Sequence, residues 1–332
     1  MIRRLDVGPV PALTSQAIYH GLAEAMNSTT PDTIVFCWPR EPYFCVGYHQ
    51  TADEVLDLDL CRRQGWPVFR RKIGGGAVYL DRSQLFYQVI VHRSRAPFAV
   101  ERIYARYLAA PVRALRDLGL EARLAPPNEI EVGGRRIAGT GGGHIGEAAV
   151  VVGNVLVDFP EARMARAWRA PSAPFRRLAR EGLRRHLTTL ARELPAPPSL
   201  AALTEATAGA YAETLGQALV PGRFTARERR AIEASAAELA STAFGLDGGV
   251  GRAPGLKIAR GVYVFEGGAS GAGVRVSLRI RHGVVDAVAV RGADPRRARC
   301  FVGQPLATLA DGARTNPADV VGERLAAEGG AR

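Results

Sequence analysis

Arg70, Arg71 and Lys72 stand directly before Ile73 and the run Gly74-Gly75-Gly76. Three consecutive glycines add no packing, and each costs backbone entropy when it is ordered. What they present is bare N–H groups and a main chain that other atoms approach without meeting a Cβ. Amide donors beside guanidinium forks suit a phosphate or a carboxylate. Taken alone, the glycine run is explained equally well by a turn with solvated basic flanks. It is not a Walker loop, since no Gly-Lys-Ser/Thr follows, and no G-x-G-x-x-G opens a helix here. A second glycine-rich stretch, 139–146, contains His144, the histidine best placed to face a ligand. Cys37, Cys45, Cys61 and Cys300 show no C-x-x-C spacing, which argues against structural zinc or a disulfide framework.

The elements that must hold these residues are legible from pattern. Short apolar runs at 67–69 and 77–80 flank the triple glycine and predict a tight strand–loop–strand crossing. Upstream, 14–26 reads as a helix capped by Thr14 or Ser15, with Ile18, Leu22 and Met26 on one face. His20 on that helix reads as an ordinary surface or edge histidine. Strands are expected at 33–38 and 43–48, then a helix over 52–64 behind a capping box of Thr51 and Glu54. Beyond the crossing come a strand at 85–92 and an amphipathic helix at 97–118, kinked or broken by Pro111. Strands follow at 121–124, 129–132, 135–138 and 148–159, with Gly133-Gly134 as a hairpin turn and 139–146 as a second glycine loop. Residues 160–245 read as mainly helical and arginine-rich.

From about Leu246 the texture changes: 247–251 is linker-like, strands recur at 262–265, 274–280 and 284–290, and helices at 304–311 and 316–327 follow. The expected organisation is a domain over 1–245 and a small α+β unit over 246–332. The 332 residues suffice for a good core, and no segment approaches the ~18 apolar residues of a membrane span. The N-terminus carries no export pattern, so a soluble, reduced, cytoplasmic protein is expected. The net charge of +12 comes with 44 basic residues, of which only Lys72 and Lys257 are lysines. Arginine in that proportion, beside so much Ala and Gly, reads as compositional drift spread along the chain. A basic surface without aromatic interleaving fits an anionic small ligand or an acidic protein partner rather than RNA.

Taken together these residues resemble the lipoate–protein ligases, within the wider biotin/lipoate ligase and octanoyltransferase superfamily, over almost the full chain. Arg70-Arg71-x-x-Gly74-Gly75-Gly76-Ala77-Val78-Tyr79 is similar to that family's first signature. Asn128-Glu129-Ile130 with Gly134-Arg135-Arg136-Ile137-Ala138-Gly139 is similar to its second, and 257–286 resembles its accessory domain. The resemblance implies an α+β fold: a class II ligase-like catalytic domain, with a mixed or antiparallel sheet and flanking helices, plus the small C-terminal accessory domain. It implies a monomer that binds ATP and Mg²⁺, activates lipoate or octanoate as an acyl-adenylate, and transfers the acyl group to a lysine. The acceptor would be a lipoyl carrier: a glycine-cleavage H protein, a dehydrogenase E2 lipoyl domain or another lipoate-binding protein. No nucleic acid or membrane is implied. Carried over position by position, the nucleotide side is Arg71, Gly74, Gly75, Gly76, Ala77, Val78, Tyr79, Asn128 and Arg136. The acyl side is Arg70, Gly75, Leu80, Gly139 and Val152, with Phe86 beside Val78 and Val152 along an apolar channel. Glu129 stands where the family places an acid near the metal.

Arg136 takes the catalytic position where the family carries lysine. An always-charged guanidinium keeps the positive charge, but it is longer and planar and does not fit every lysine site. Ile73 replaces a Ser or Thr, Leu80 a His, and Thr140 to His144 and Val152-Gly153-Asn154 replace other family pieces. Two further readings stay open. An octanoyl- or lipoyl-transferase needs a thiolate near the second motif, and no cysteine is adjacent to it in sequence. A protein that binds the lipoyl carrier without adenylating anything is the third.

Overall fold

The computed structural model describes residues 1–241, 255–269, 271–309 and 316–329. The chain runs through β1 (Ile2–Val10), α1 (Ala12–Glu24), β2 (Thr33–Pro39), β3 (Tyr43–Val46), α2 (Ala52–Val55) and α3 (Leu58–Arg63). It continues with β4 (Val68–Arg70), β5 (Val78–Leu80), β6 (Gln84–His92), α4 (Val100–Asp117), β7 (Ala122–Ala125) and β8 (Glu129–Val132). Next come β9 (Arg135–Ile145), β10 (Ala148–Leu156), α5 (Glu161–Ala167), α6 (Ala173–His186), α7 (Leu190–Glu193) and α8 (Leu200–Leu215). The remaining elements are β11 (Leu219–Pro221), α9 (Ala226–Ala240), β12 (Leu256–Ala259), β13 (Val262–Gly268), β14 (Arg275–Arg281), β15 (Val284–Arg291), α10 (Pro295–Ala298) and α11 (Pro317–Gly329). The fold is α+β, as the sequence implied. No helix among the described residues is long and apolar enough to cross a membrane.

Contacts divide the chain into two compact units. The first comprises Met1–Asp53, Leu58–Phe159 and Thr188–Val250; the second comprises Glu54–Asp57, Pro160–Leu187 and Gly251–Arg332. The expected boundary at 245/246 and the linker at 247–251 lie outside the described residues.

The first unit is built on an eight-stranded sheet in the order β11-β1-β2-β6-β10-β9-β8-β7. β1 runs parallel to both β2 and β11, and the other pairs are antiparallel. All nine residues of β6 are buried, because both faces of the sheet are covered. Leu85, Tyr87, Val89 and Val151 pack with Leu108 of α4 and Tyr211 of α8. Phe86, Ile90 and Val150 pack on the other side with Ile18 and Leu22 of α1. α1 in turn lies so close to α9 that a Cβ at Gly21 would sit 2.4 Å from the backbone nitrogen of Ile232. A three-stranded sheet, β4-β3-β5, carries the triple-glycine crossing.

Several elements differ from the sequence reading. α1 starts at Ala12 behind Pro11 with no side-chain cap; Ser15 lies inside it and its hydroxyl donates to the Ala12 carbonyl at 2.6 Å. The expected helix over 52–64 is two short ones, α2 and α3. Between them buried Leu56 makes a bridge to Trp168, and the Asp57 N–H donates to the Ala167 carbonyl at 2.8 Å. The helix carrying Pro111 is continuous from Val100 to Asp117. β1 and β11 escaped the pattern reading, and the helix expected at 304–311 is a 3₁₀ turn at Leu306–Thr308 among the described residues.

In the second unit, β12-β13-β14-β15 form an antiparallel meander. Val276, Leu278 and Ile280 of β14 pack with Val321 and Leu325 of α11. The alternate residues Ser277 and Arg279 point to α6, which buries Phe175, Leu178 and Leu183. Arg279 is fully buried: Nε donates to Asp286 Oδ2 at 2.6 Å and Nη1 to the Leu178 carbonyl at 3.3 Å, with Glu181 3.6 Å away. Sequence had kept 160–187 with the larger domain; this buried ionic stake and the apolar face of α6 gather it into the second unit.

Candidate active site

The crossing between β4 and β5 is held by its own cations. Arg71 is buried and its guanidinium donates inward: Nη1 to the Cys45 carbonyl at 3.2 Å, and Nη2 to the Gly74 and Gly76 carbonyls at 3.0 and 2.9 Å. Arg70, also buried, donates to the Tyr48 carbonyl at 2.8 Å and to that of Gln50. Both residues expected to reach a ligand are turned to main-chain carbonyls of β3 and the loops. Gly75 takes φ +111°, open only to glycine, and a Cβ at Gly47 would overlap the Gly75 carbonyl. With the carbonyls turned onto Arg71, the amides are left over. Among the described residues, the N–H groups of Gly74, Gly75, Gly76 and Ala77 donate to no protein acceptor. Gly75 is exposed and its neighbours half-buried, so this run of residues lies at the surface. A run of successive amides without protein acceptors is suited to cradle an anion.

Lys72 and His20 support the crossing from below. Lys72 Nζ bridges Glu24 of α1 at 2.9 Å and Glu238 of α9 at 2.8 Å. Burial lowers its pKa, and the hydrogen bonds to Glu238 and Glu24 more than reverse that, leaving it raised. It is therefore a tether and not a solvated flank. His20 is completely buried, against the surface position expected. Its Nε2 accepts the Lys72 N–H at 3.0 Å, so Nδ1 carries the proton and donates to the Gln16 carbonyl at 2.7 Å. Burial lowers its pKa to about 3. Nothing in the local pattern marked this role, because the partner lies 52 residues away.

The second motif occupies β8 and β9, joined by a tight turn with Gly133 and Gly134 at φ +57° and +71°. Glu129 is buried, and its Oε1 lies 3.5 Å from Arg136 Nη1. Asn128 Nδ2 donates to the Thr140 carbonyl at 3.4 Å. The stretch 139–146 is not a loop: β9 runs unbroken from Arg135 to Ile145, paired with β10 from Ala138 to Ile145. Its glycines are there for packing. Ile73 Cδ1 and Cγ2 would lie 3.3 and 3.5 Å from Cβ atoms at Gly141 and Gly143, and Tyr104 presses on Gly142 from the opposite face. The Gly74 carbonyl is 3.7 Å from the same Gly141 position. The triple-glycine crossing thus rests directly on the strand that carries Arg136. A Cβ at Gly139 would meet Asn154 Oδ1 at 2.7 Å; Asn154 bonds Gln84, whose Nε2 donates to the Tyr79 carbonyl at 3.2 Å.

Ile73, Leu80 and Phe86 belong to one apolar cluster, with Phe69, Val78 and Val152 packed against it. This gathers Leu80 and Val152, expected on the acyl side, beside the crossing. His144 is exposed and borders a separate cleft of about 110 Å³ with Val100, Ile103 and Tyr104. Cys37, Cys45 and Cys61 are buried, and Cys300 is exposed in the second unit. Burial pushes the Cys37 thiol up to about 12 and raises that of Cys45 despite Arg71. No group of three His, Cys, Asp or Glu among the described residues makes a resident metal site. One carboxylate, Glu129, fits Mg²⁺ only as an ion that arrives bound to nucleotide phosphates.

The family model for the lipoyl protein ligase A/B catalytic domain matches residues 11–212. An octanoyltransferase LipM of Symbiobacterium thermophilum is 29% identical over 252 residues, 69% of this chain and 91% of that protein. Among solved structures, a bipartite lipoate protein ligase of Thermoplasma acidophilum, studied with its E2 lipoyl domain, aligns with TM-score 0.69 and 21% identity. It covers 76% of this chain and 99% of the other. A lipoate-protein ligase A bound with ATP aligns with TM-score 0.64 and 21% identity, over 74% and 98% of the two chains.

Proposed function

The chain belongs to the lipoyl protein ligase A/B catalytic-domain family, and from that premise we propose that it is an ATP-dependent lipoate or octanoate ligase. It forms an acyl-adenylate and passes the acyl group to a lysine of a lipoyl carrier domain. The observation that carries this reading is the run of four unengaged amides at Gly74, Gly75, Gly76 and Ala77, next to the strand bearing Arg136. Phosphate oxygens suit that cradle. The acid's carboxylate attacks the α-phosphorus, the bond to pyrophosphate breaks, and pyrophosphate leaves with the electron pair. The free amine of the carrier lysine then attacks the acyl carbonyl, AMP leaves, and the amine proton passes to solvent.

Each residue has a part in this scheme. The amides hold phosphate oxygens where charge builds up, a pre-organised arrangement that needs no reorganisation during reaction. Arg71 keeps the crossing shut on itself so that the amides, not the carbonyls, face the ligand. Arg136 supplies the fixed positive charge beside the reacting phosphate, and Glu129 orients it from 3.5 Å. Mg²⁺, when bound with the nucleotide, neutralises phosphate charge; Glu129 is the residue that would hold it. The cluster around Val78, Phe86 and Val152 takes the eight-carbon chain, whose burial is worth ~0.8 kcal/mol per CH₂. The ATP-bound structural neighbour supports the nucleotide assignment.

The LipM relatives favour a second reading, acyl transfer from a carrier thioester through an enzyme thiolate. The thiols here speak against it. Three are buried, with Cys37 and Cys45 pushed away from ionisation, and the exposed Cys300 belongs to the second unit. Lipoate-dependent exchange of labelled pyrophosphate into ATP is expected, together with a mass increase of an apo lipoyl domain incubated with protein, ATP, magnesium and lipoate. Octanoyl transfer from acyl carrier protein without ATP would establish the second reading instead. Carrier binding with neither activity would leave a non-adenylating binding protein.

A further inference from the structure

The segments of the second unit contain 21 of the 44 basic residues but only 11 of the 32 acidic ones, and so ten of the twelve net positive charges. The first unit, with the other 23 and 21, is close to neutral. The positive charge is therefore not spread along the chain, as expected from composition. Genome drift explains arginine in place of lysine; it does not explain a local deficit of acids.

The excess is sharpest on α6. Arg176, Arg177, Arg180, Arg184 and Arg185 are all exposed, on the side away from Phe175, Leu178 and Leu183. None of them takes part in an ion pair among the described residues. Glu181 is the one acid within the helix, and its carboxylate is turned to buried Arg279. Arg176, Arg180 and Arg184 repeat every four residues, a stripe about 12 Å long. Like charges at that spacing destabilise a helix by ~0.2–0.5 kcal/mol per pair. The fold gains nothing from them, since α6 is anchored by its other face. Five unengaged guanidinium groups on one rigid face create a field that attracts and orients a negatively charged body.

We propose that this outer face of α6 is the docking surface for the protein that accepts the acyl group, through an acidic patch on that protein. The inference rests on the ligase reading, which requires a folded protein as second substrate; among polyanions that reaction admits a carrier domain and has no use for nucleic acid or lipid. Arg176, Arg180 and Arg184 capture the carrier and raise its local concentration, and they take no part in adenylate formation.

The test is a triple variant, Arg176→Glu/Arg180→Glu/Arg184→Glu, with the corresponding Gln triple as a check that neutralisation alone has the same sign. Pyrophosphate exchange, measured without carrier, is expected to match the unaltered protein. kcat/KM for acylating an apo lipoyl domain of net negative charge is expected to fall about tenfold or more. The unaltered protein should lose carrier efficiency between about 50 and about 300 mM salt, and the Glu triple should not. Equal carrier efficiency in the Glu triple and the unaltered protein would overturn the docking surface. Absence of pyrophosphate exchange in the unaltered protein would instead remove the ligase reading; direct titration with the apo lipoyl domain then decides the surface, loss of binding in the Glu triple supporting it and unchanged binding overturning it. Tighter arginine-dependent binding to a DNA duplex or to phosphatidylserine vesicles than to the lipoyl domain would also overturn it.

Discussion

Arg71 reaches three carbonyls with one planar group, and an ammonium cannot span Cys45, Gly74 and Gly76 together. Arg71→Lys should therefore lower pyrophosphate exchange about 10²-fold and open residues 74–76 to limited proteolysis. Normal exchange in that variant would mean the amide cradle does not depend on this frame. Arg136 is different: its Nη1 approaches the Glu129 carboxylate at 3.5 Å, a charge contact that an ammonium can also make. Arg136→Lys keeps the charge and should retain or raise turnover; complete loss would mean the pocket has been rebuilt around the guanidinium. His20 gives a pH signature. Its folded-state pKa, about 3, lies below the ~6.5 of an unperturbed histidine. Its contribution is thus fully present above pH ~6.5 and is lost as pH falls, by up to ~1.4 kcal/mol per unit until about pH 3. Denaturation of His20→Gln should show a shallower decline than the unaltered protein between pH 6 and pH 4, where the glutamine cannot take up a proton. Sequence singled out Arg71 and Arg136 as candidate site residues. It could not reveal that Arg71 faces its own loop, since carbonyl direction is set by Gly75 at φ +111° and by β3 alongside.

Elements were legible where their pattern was local. The crossing was, because apolar runs bracket the glycines; so were the hairpin at Gly133-Gly134 and the strand 85–92. β9 was not, because a glycine run carries no side chains to alternate, and its extension is decided by Ile73, Tyr104 and the pairing with β10. β1 escaped for a related reason: Arg3 and Arg4 interrupt its apolar pattern, and its identity comes from parallel partners at 33–39 and 219–221. The α1–α9 contact shows how tightly elements constrain the crossing. α9 supplies Glu238 to Lys72, and it sits against Gly21 with no room for a methyl group. Gly21→Ala should cost about 1–3 kcal/mol by overpacking, read as a lower denaturation midpoint at unchanged slope. A neutral result would mean that α9 is free to shift outward.

For the whole molecule, the assignment of 160–187 depended on residues nearly a hundred positions away. Arg279, buried under α6, is the clearest cause, and no window of sequence contains both partners. Arg279→Ala should destabilise the second unit by about 3 kcal/mol, the lower end for a broken buried pair because Asp286 keeps some contact with water. Hydrogen exchange should then quicken in 173–186 and 275–291 while 84–92 stays protected. Uniform loss of protection would show that the two units unfold as one. The interleaving also bears on how the chain is made. α6 leaves the ribosome some 70 residues before β12 begins, which at ~5–20 residues per second is a wait on the order of several seconds. Through that interval Phe175, Leu178 and Leu183 have no sheet to cover them, and like-charge repulsion among the exposed arginines of the same helix disfavours association of one nascent segment with another.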